Sequence, residues 1–306
     1  MSLMGGLGNQ MFQYAAGKAL AERHGVRLAL DLSGFEVSGL GHSPRSFLLD
    51  RLCVPEFDPL NAPSANAPQP ATNFRRALWK QRIDRLLRLA HLPQLPVSEN
   101  QYREPHFQYD PAFETLGSET SLFGFFQSER YFAAIAETLR RCFSPRQPLG
   151  PAAAEVLARL ARSELPVSVH VRRGDYLKPV TADVHGILDQ PYYRGALARL
   201  DAATGDGKAE FFVFSDDAAA AEQILSFVPK ARLVHVRGDP ERPWEDMALM
   251  ARCRHHVIAN SSFSWWGAWL NRAPDKVVVA PRNWFVPAEL TKRNTADLYP
   301  PGWNLV

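Results

Sequence analysis

Cysteine is scarce in this chain of 306 residues: Cys53, Cys142 and Cys253 are odd in number and far apart. That spacing excludes a disulfide framework and forms no metal pattern, and the expectation is three buried, reduced thiols. Long apolar runs are missing too. No window approaches the roughly 18 consecutive apolar residues of a membrane helix, and the first residues lack the basic, apolar, small-residue order of a signal peptide. The expectation is a cytoplasmic location, with peripheral contact at the inner face of the membrane. Clustered Lys and Arg are also absent. The formal net charge is +3 and the pI about 8.8, but the basic residues are scattered, which argues against nucleic acid and for a modest anionic substrate. No internal repeat is present.

What is there is an ordinary globular composition, 46% hydrophobic and 22% charged, in a chain long enough for two domains. From Pro166 onward strands and helices alternate. The pattern predicts strands at 167–171, 210–215, 232–236, 255–259 and 276–280, with helices at 191–203, 217–227, 243–253 and 262–272 between them. That is a doubly wound parallel sheet. The first half is less regular, with a helix over 9–25, strands at 26–31 and 121–126, and helices near 74–90 and 131–142. Pro59 to Asn73 reads as an exposed loop and Ser144 to Ala153 as an interdomain linker. The expected architecture is α/β, two Rossmann-like domains facing each other across a cleft that holds the ligand, divided as 1–150 and 151–306.

Four stretches carry chemistry. In Val167-Ser168-Val169-His170-Val171-Arg172-Arg173-Gly174-Asp175 an apolar strand runs into two arginines, where ligands of open α/β sheets sit. Alternation puts His170 and Arg172 on one face and Arg173 on the other, unless the chain has already turned there. Guanidinium is planar, always charged and able to grip two phosphate oxygens, although both arginines could instead serve a structural network with Asp175. Gly5-Gly6-Leu7-Gly8-Asn9-Gln10 opens the amphipathic pattern Met11 to Ala16. It departs from the dinucleotide fingerprint, because Met11 stands where the third glycine belongs, and Asn9 by itself reads as a helix N-cap. Asn260-Ser261-Ser262-Phe263-Ser264-Trp265-Trp266-Gly267-Ala268-Trp269 turns a strand into a helix whose hydroxyls and amides suit phosphate oxygens; its tryptophans read as core. Phe214-Ser215-Asp216-Asp217 ends another strand at the same edge. One carboxylate there would accept from the two adjacent donors of guanine, while the other caps the next helix.

Taken in order, with Gly124-Phe125-Phe126-Gln127-Ser128-Glu129-Arg130-Tyr131-Phe132 and His185-Gly186 added, these stretches resemble the bacterial α-1,2-fucosyltransferase family along nearly the whole chain. The resemblance implies a GT-B fold, with an N-terminal acceptor-side domain and a C-terminal GDP-fucose-binding domain. It also implies inverting transfer of L-fucose from GDP-fucose to the 2-hydroxyl of a galactose-terminated glycan, with no metal and no cofactor. The absence of any Asp-x-Asp pair agrees, and His255-His256, adjacent in a strand, face opposite ways and make a poor ligand pair. Matched to the family motif, Arg172 grips the diphosphate, His170 meets the nucleotide and Arg173 supports near the phosphates. Ser261, Ser262, Phe263 and Ser264 hold the β-phosphate, Asp216 or Asp217 the guanine, and Asn9 reaches across the cleft. Asp175, Glu129, Asp183 and His185 all suit a general base by residue type, with Asp175 preferred. Only Met1-Ser2-Leu3-Met4 precede the glycine-rich turn, fewer than a typical first strand, so the natural chain is expected to start further upstream. Acceptor choice is expected to lie in loops 33–45 and 59–73.

Overall fold

The structure is a computed structural model and describes residues 1–35, 46–55, 58–60, 100–174, 179–205 and 208–306. The expected helix near 74–90, most of both acceptor loops and Asp175 lie outside the described residues.

In chain order the elements are α1 (Leu7–Arg23), β1 (Ala29–Asp31), β2 (Asp58–Leu60), β3 (Gln101–Arg103), β4 (Ser121–Phe123), α2 (Ala136–Cys142), α3 (Pro151–Leu160), β5 (Pro166–Val171), α4 (Pro179–His185), α5 (Gln190–Thr204), β6 (Glu210–Ser215), α6 (Ala218–Ile224), β7 (Leu233–His235), α7 (Pro243–Met250), β8 (His255–Val257), α8 (Ser262–Leu270), β9 (Val278–Ala280) and β10 (Asn304–Leu305). The second half forms a six-stranded, all-parallel sheet in the order β7-β6-β5-β8-β9-β10. The chain steps outward from β5 to β6 and β7, then returns to lay β8 on the other side of β5. The gap between β5 and β8 is therefore the topological switch point, where ligands of open α/β sheets bind beyond the carboxyl ends of the strands.

Composition explains why this sheet forms. Val167, Val169 and Val171 bury one face of β5 against Tyr193, Leu197 and Leu200 of α5 and Ala221 and Ile224 of α6. Phe212 and Phe214 bury the opposite face of β6 against Ala153 and Leu160 of α3 and Leu249 and Met250 of α7. Buried on both faces, the strands read as continuous apolar runs. In the first half β1 pairs with β2 and β3 with β4, all parallel, and the residues before α1 lie between these pairs. Ser2 N donates to Leu122 O and Leu3 N to Asp31 O, both at 3.0 Å.

Several expectations need correction. Residues 151–153 are not linker, because Pro151 opens α3 at its first helical position, where a missing N–H does no harm. The expected 131–142 helix starts at Ala136, after two 3-10 turns at Glu129–Tyr131 and Ala133–Ile135. Cys53 is exposed, with its thiol 3.5 Å from Pro145 O, while Cys142 and Cys253 are buried. Nor is α1 amphipathic. Only Asn9, Lys18, Glu22 and Arg23 in it escape burial, because it lies inside one cluster with Trp265, Trp266, Trp269, Ile258 and Ala280 from the second half. Its two buried glutamines are satisfied by backbone: Gln10 Nε2 donates to Gly5 O and Ser46 O at 2.9 Å, and Gln13 Nε2 to Gly124 O at 3.1 Å.

Candidate functional site

The first turns of α1 and α8 meet at the switch point. Gly8 makes that possible: a Cβ there would lie 2.6 Å from the Ser262 carbonyl carbon and 2.7 Å from Phe263 N. Gly5, at φ +81°, supplies the turn that aims α1 at this point. The contact is held by the tryptophans. Trp266 Nε1 donates to Gly8 O at 2.9 Å, Trp269 Nε1 to Glu129 Oε2 at 2.9 Å and Trp265 Nε1 to Leu298 O at 2.8 Å. Phe12 packs against the rings of Trp265 and Trp266 at 4.5 and 4.8 Å. The tryptophans are core, as expected, and each indole N–H is satisfied.

Asn9 is not the N-cap of its helix; Gly6 is, and Asn9 lies inside the first turn. Its Oδ1 accepts from Ser262 Oγ and from Gln127 Nε2, both at 2.9 Å. One side chain thus ties α1, the loop after β4 and the start of α8 together. Ser261 caps α8, accepting from Phe263 N at 3.4 Å, and Ser264 Oγ turns back to Ser261 O at 3.3 Å. A helix start leaves its first amides without intrahelical partners and carries partial positive charge, chemistry that suits an anionic oxygen.

The carboxyl end of β5 adds the charged groups. His170 is 4% exposed, its ring lies 5.8 Å from Phe263, and its Nδ1 is buried without a hydrogen-bond partner. Burial, reinforced by Arg172, holds its pKa down at about 3, so the imidazole is neutral at physiological pH. Arg172 Nη1 meets Asp216 Oδ2 at 2.8 Å, and Asp216 Oδ1 accepts from Arg173 N at 2.8 Å. Asp216 therefore orients the guanidinium and the chain beside it. β5 ends at Val171, and Arg173 lines a cavity of about 440 Å³ with Gln190, Asp217 and Gln223. Asp217 caps α6 through Oδ1, which accepts from Ala220 N at 3.0 Å.

Two acids escaped the sequence reading. Asp246, in the first turn of α7, is pushed up to about 7 by burial and by Glu245 and Asp239, and its carboxylate packs against Gly238, where a Cβ would make it shift. Glu104, just beyond β3, is pushed up to about 7 by burial, although Phe125 N and Phe126 N donate to its carboxylate at 2.8 and 3.1 Å. The signal for Asp246 was an acid in a helix's first turn; Glu104 had none. Of the other general-base candidates, Glu129 is engaged by Trp269 and Asp183 is exposed.

A cavity of about 1220 Å³ lies at the opposite edge of the sheet, between the starts of β5 and β8 and the C-terminal ends of α2, α5, α7 and α8. Arg141, Arg252, Arg254 and Arg272 there complement helix carbonyl ends, so the basic character of that cavity has a structural cause.

The model of glycosyl transferase family 11 matches residues 83–306. The chain is 34% identical to an alpha-1,2-colitosyltransferase of Escherichia coli over 98% of this chain and 96% of that one. It is 30% identical to the O-antigen biosynthesis glycosyltransferase WbnK of Escherichia coli over 92% and 93%. Over 49% of this chain and 42% of the relative, it is 31% identical to galactoside alpha-(1,2)-fucosyltransferase 1 of Saimiri sciureus. With matches running along nearly its whole length, the chain belongs to glycosyl transferase family 11.

Proposed function

We propose that this protein transfers L-fucose from GDP-fucose to the 2-hydroxyl of a galactose-terminated glycan, with inversion at the anomeric carbon. The observation that supports this reading best is the convergence of Arg172, neutral His170 and two helix starts on one switch point. Departure of GDP builds negative charge on the β-phosphate, and donors fixed in advance stabilise it at no cost of reorganisation. In this reading Arg172 grips the diphosphate, and the first amides of α8 with Ser261, Ser262, Phe263 and Ser264 surround the β-phosphate. Asn9 completes that wall from the first half, which carries the acceptor, residues 151–306 carrying the donor. His170 meets the nucleotide, Arg173 supports near the phosphates, and a carboxylate at the end of β6, Asp216 or Asp217, accepts from guanine. Asp175 is proposed to take the acceptor proton. Positive charge from arginine and helix ends takes the part of a divalent ion, so no metal or other cofactor is required.

Product formation from GDP-fucose and a set of β-galactosides in the presence of EDTA, with the linkage assigned by NMR, tests the reading. A 2-linked α-fucoside formed despite the chelator supports it; GDP binding without transfer to any galactoside refutes the catalytic part. The identity with the colitosyltransferase along nearly the whole chain favours a second donor, GDP-colitose, to be offered in parallel. Preferential turnover of GDP-colitose would reassign the sugar and leave the residue roles intact.

A further inference from the structure

Phe125 is the only exposed Phe, Tyr or Trp among the described residues, at 40%. It is not exposed through looseness. Its own N–H donates to Glu104 Oε2 at 2.8 Å, and the next N–H, of Phe126, is shared between both Glu104 oxygens at 3.1 Å. On the other side Gly124 O accepts from Gln13 Nε2, and a Cβ on Gly124 would strike the Glu104 side chain. Phe126 is held at φ +54°, a left-handed conformation that a bulky residue adopts only when its surroundings impose it. The fold thus spends a buried carboxylate and a strained backbone on presenting one aromatic ring to solvent.

The backbone that carries the ring runs on to the site. Two residues further on, Gln127 donates to Asn9, which accepts from Ser262 at the start of α8. We propose that Phe125 is the platform on which the acceptor pyranose stacks, an inference that rests on the glycosyl-transfer reading above. A galactoside carries its hydroxyls around the rim and an apolar patch of C–H groups on one face. The negative face of an aromatic ring attracts those C–H groups and shields them from water, while the rim hydroxyls remain free for polar neighbours. A rigid ring loses little freedom on binding, which is why its backbone is braced on both sides.

The test uses Phe125→Ala, Phe125→Leu and Phe125→Trp in the full chain, with lactose as probe. Three quantities are read: the KM for lactose, the Kd for GDP by calorimetry, and saturation-transfer NMR of lactose with GDP present. The alanine and leucine variants should raise the KM for lactose roughly 3- to 10-fold, the worth of one aromatic contact. They should also lose saturation transfer to the galactose ring and bind GDP as the unsubstituted chain does; tryptophan should restore the KM. An unchanged KM in the alanine variant, or equal rescue by leucine and tryptophan, overturns the platform. The two readings fail differently. A chain that binds lactose through Phe125 yet makes no fucoside refutes transfer and keeps the platform, whereas no saturation transfer to lactose in the unsubstituted chain overturns the platform whatever the turnover.

Discussion

At Arg172 the guanidinium meets Asp216 at 2.8 Å, an ion pair that tethers it at the carboxyl end of β5. Lysine keeps the charge and loses the fork, so Arg172→Lys is expected to lower kcat/KM for the donor by roughly a hundredfold or more, the usual loss for one preorganised donor. The melting temperature should stay close to that of the unsubstituted chain. A variant within threefold of the original turnover would remove Arg172 from the diphosphate. Gly8 is the opposite case, a residue needed for what it lacks. Gly8→Ala would drive a methyl into the backbone of Ser262 and Phe263, and the expected loss is at least about 1–3 kcal/mol in a denaturant titration. The sequence named Asn9 and Ser262 separately and never as partners. They are 253 residues apart, and no local pattern reports a contact at that distance.

The elements of the second half were legible because their strands are buried on both faces. Phe211 to Phe214 form an unbroken apolar run, and the strand matches 210–215 at both ends. In the first half β1, β3 and β4 have only three residues each, too few for a period to appear. The helix α1 misled for a related reason: packed on nearly every side, it has no polar face to set its period. The loop after β4 hid its brace because Glu104 precedes it by more than twenty residues. Glu104 makes a prediction at this scale. Its pKa is raised from 4.5 to about 7, so between those values the folded chain keeps a proton that the unfolded chain has lost. Stability must therefore fall as pH rises through that window, and Asp246, raised to about 7, adds to the fall. His170, lowered to about 3, acts in the opposite sense and costs stability as pH drops below 6.5. Glu104→Gln is expected to shrink the difference between urea midpoints at pH 5 and pH 8, while an unchanged difference would show that burial does not hold this proton.

Across the whole molecule, one apolar cluster joins α1 and its flanking strands to α8 and β9. Phe12, Phe132 and Phe143 from the first half cover Trp266 from the second. Residues 1–150 and 151–306 are therefore expected to melt in one calorimetric transition, and 151–306 expressed alone to aggregate through its uncovered tryptophan face. Two separated transitions would show that the shared cluster does not couple the halves. No helix among the described residues is long and apolar enough to cross a membrane.

The close approach of α1 and α8 at Gly8 brings two helix N-termini, like poles, into one place. Like poles repel, and a bound anion at this junction would offset the repulsion. In the proposed reaction the nucleotide sugar supplies that anion before the acceptor arrives. Ordered kinetics with the donor first follow from this, and so does a rise in melting temperature with inorganic pyrophosphate alone.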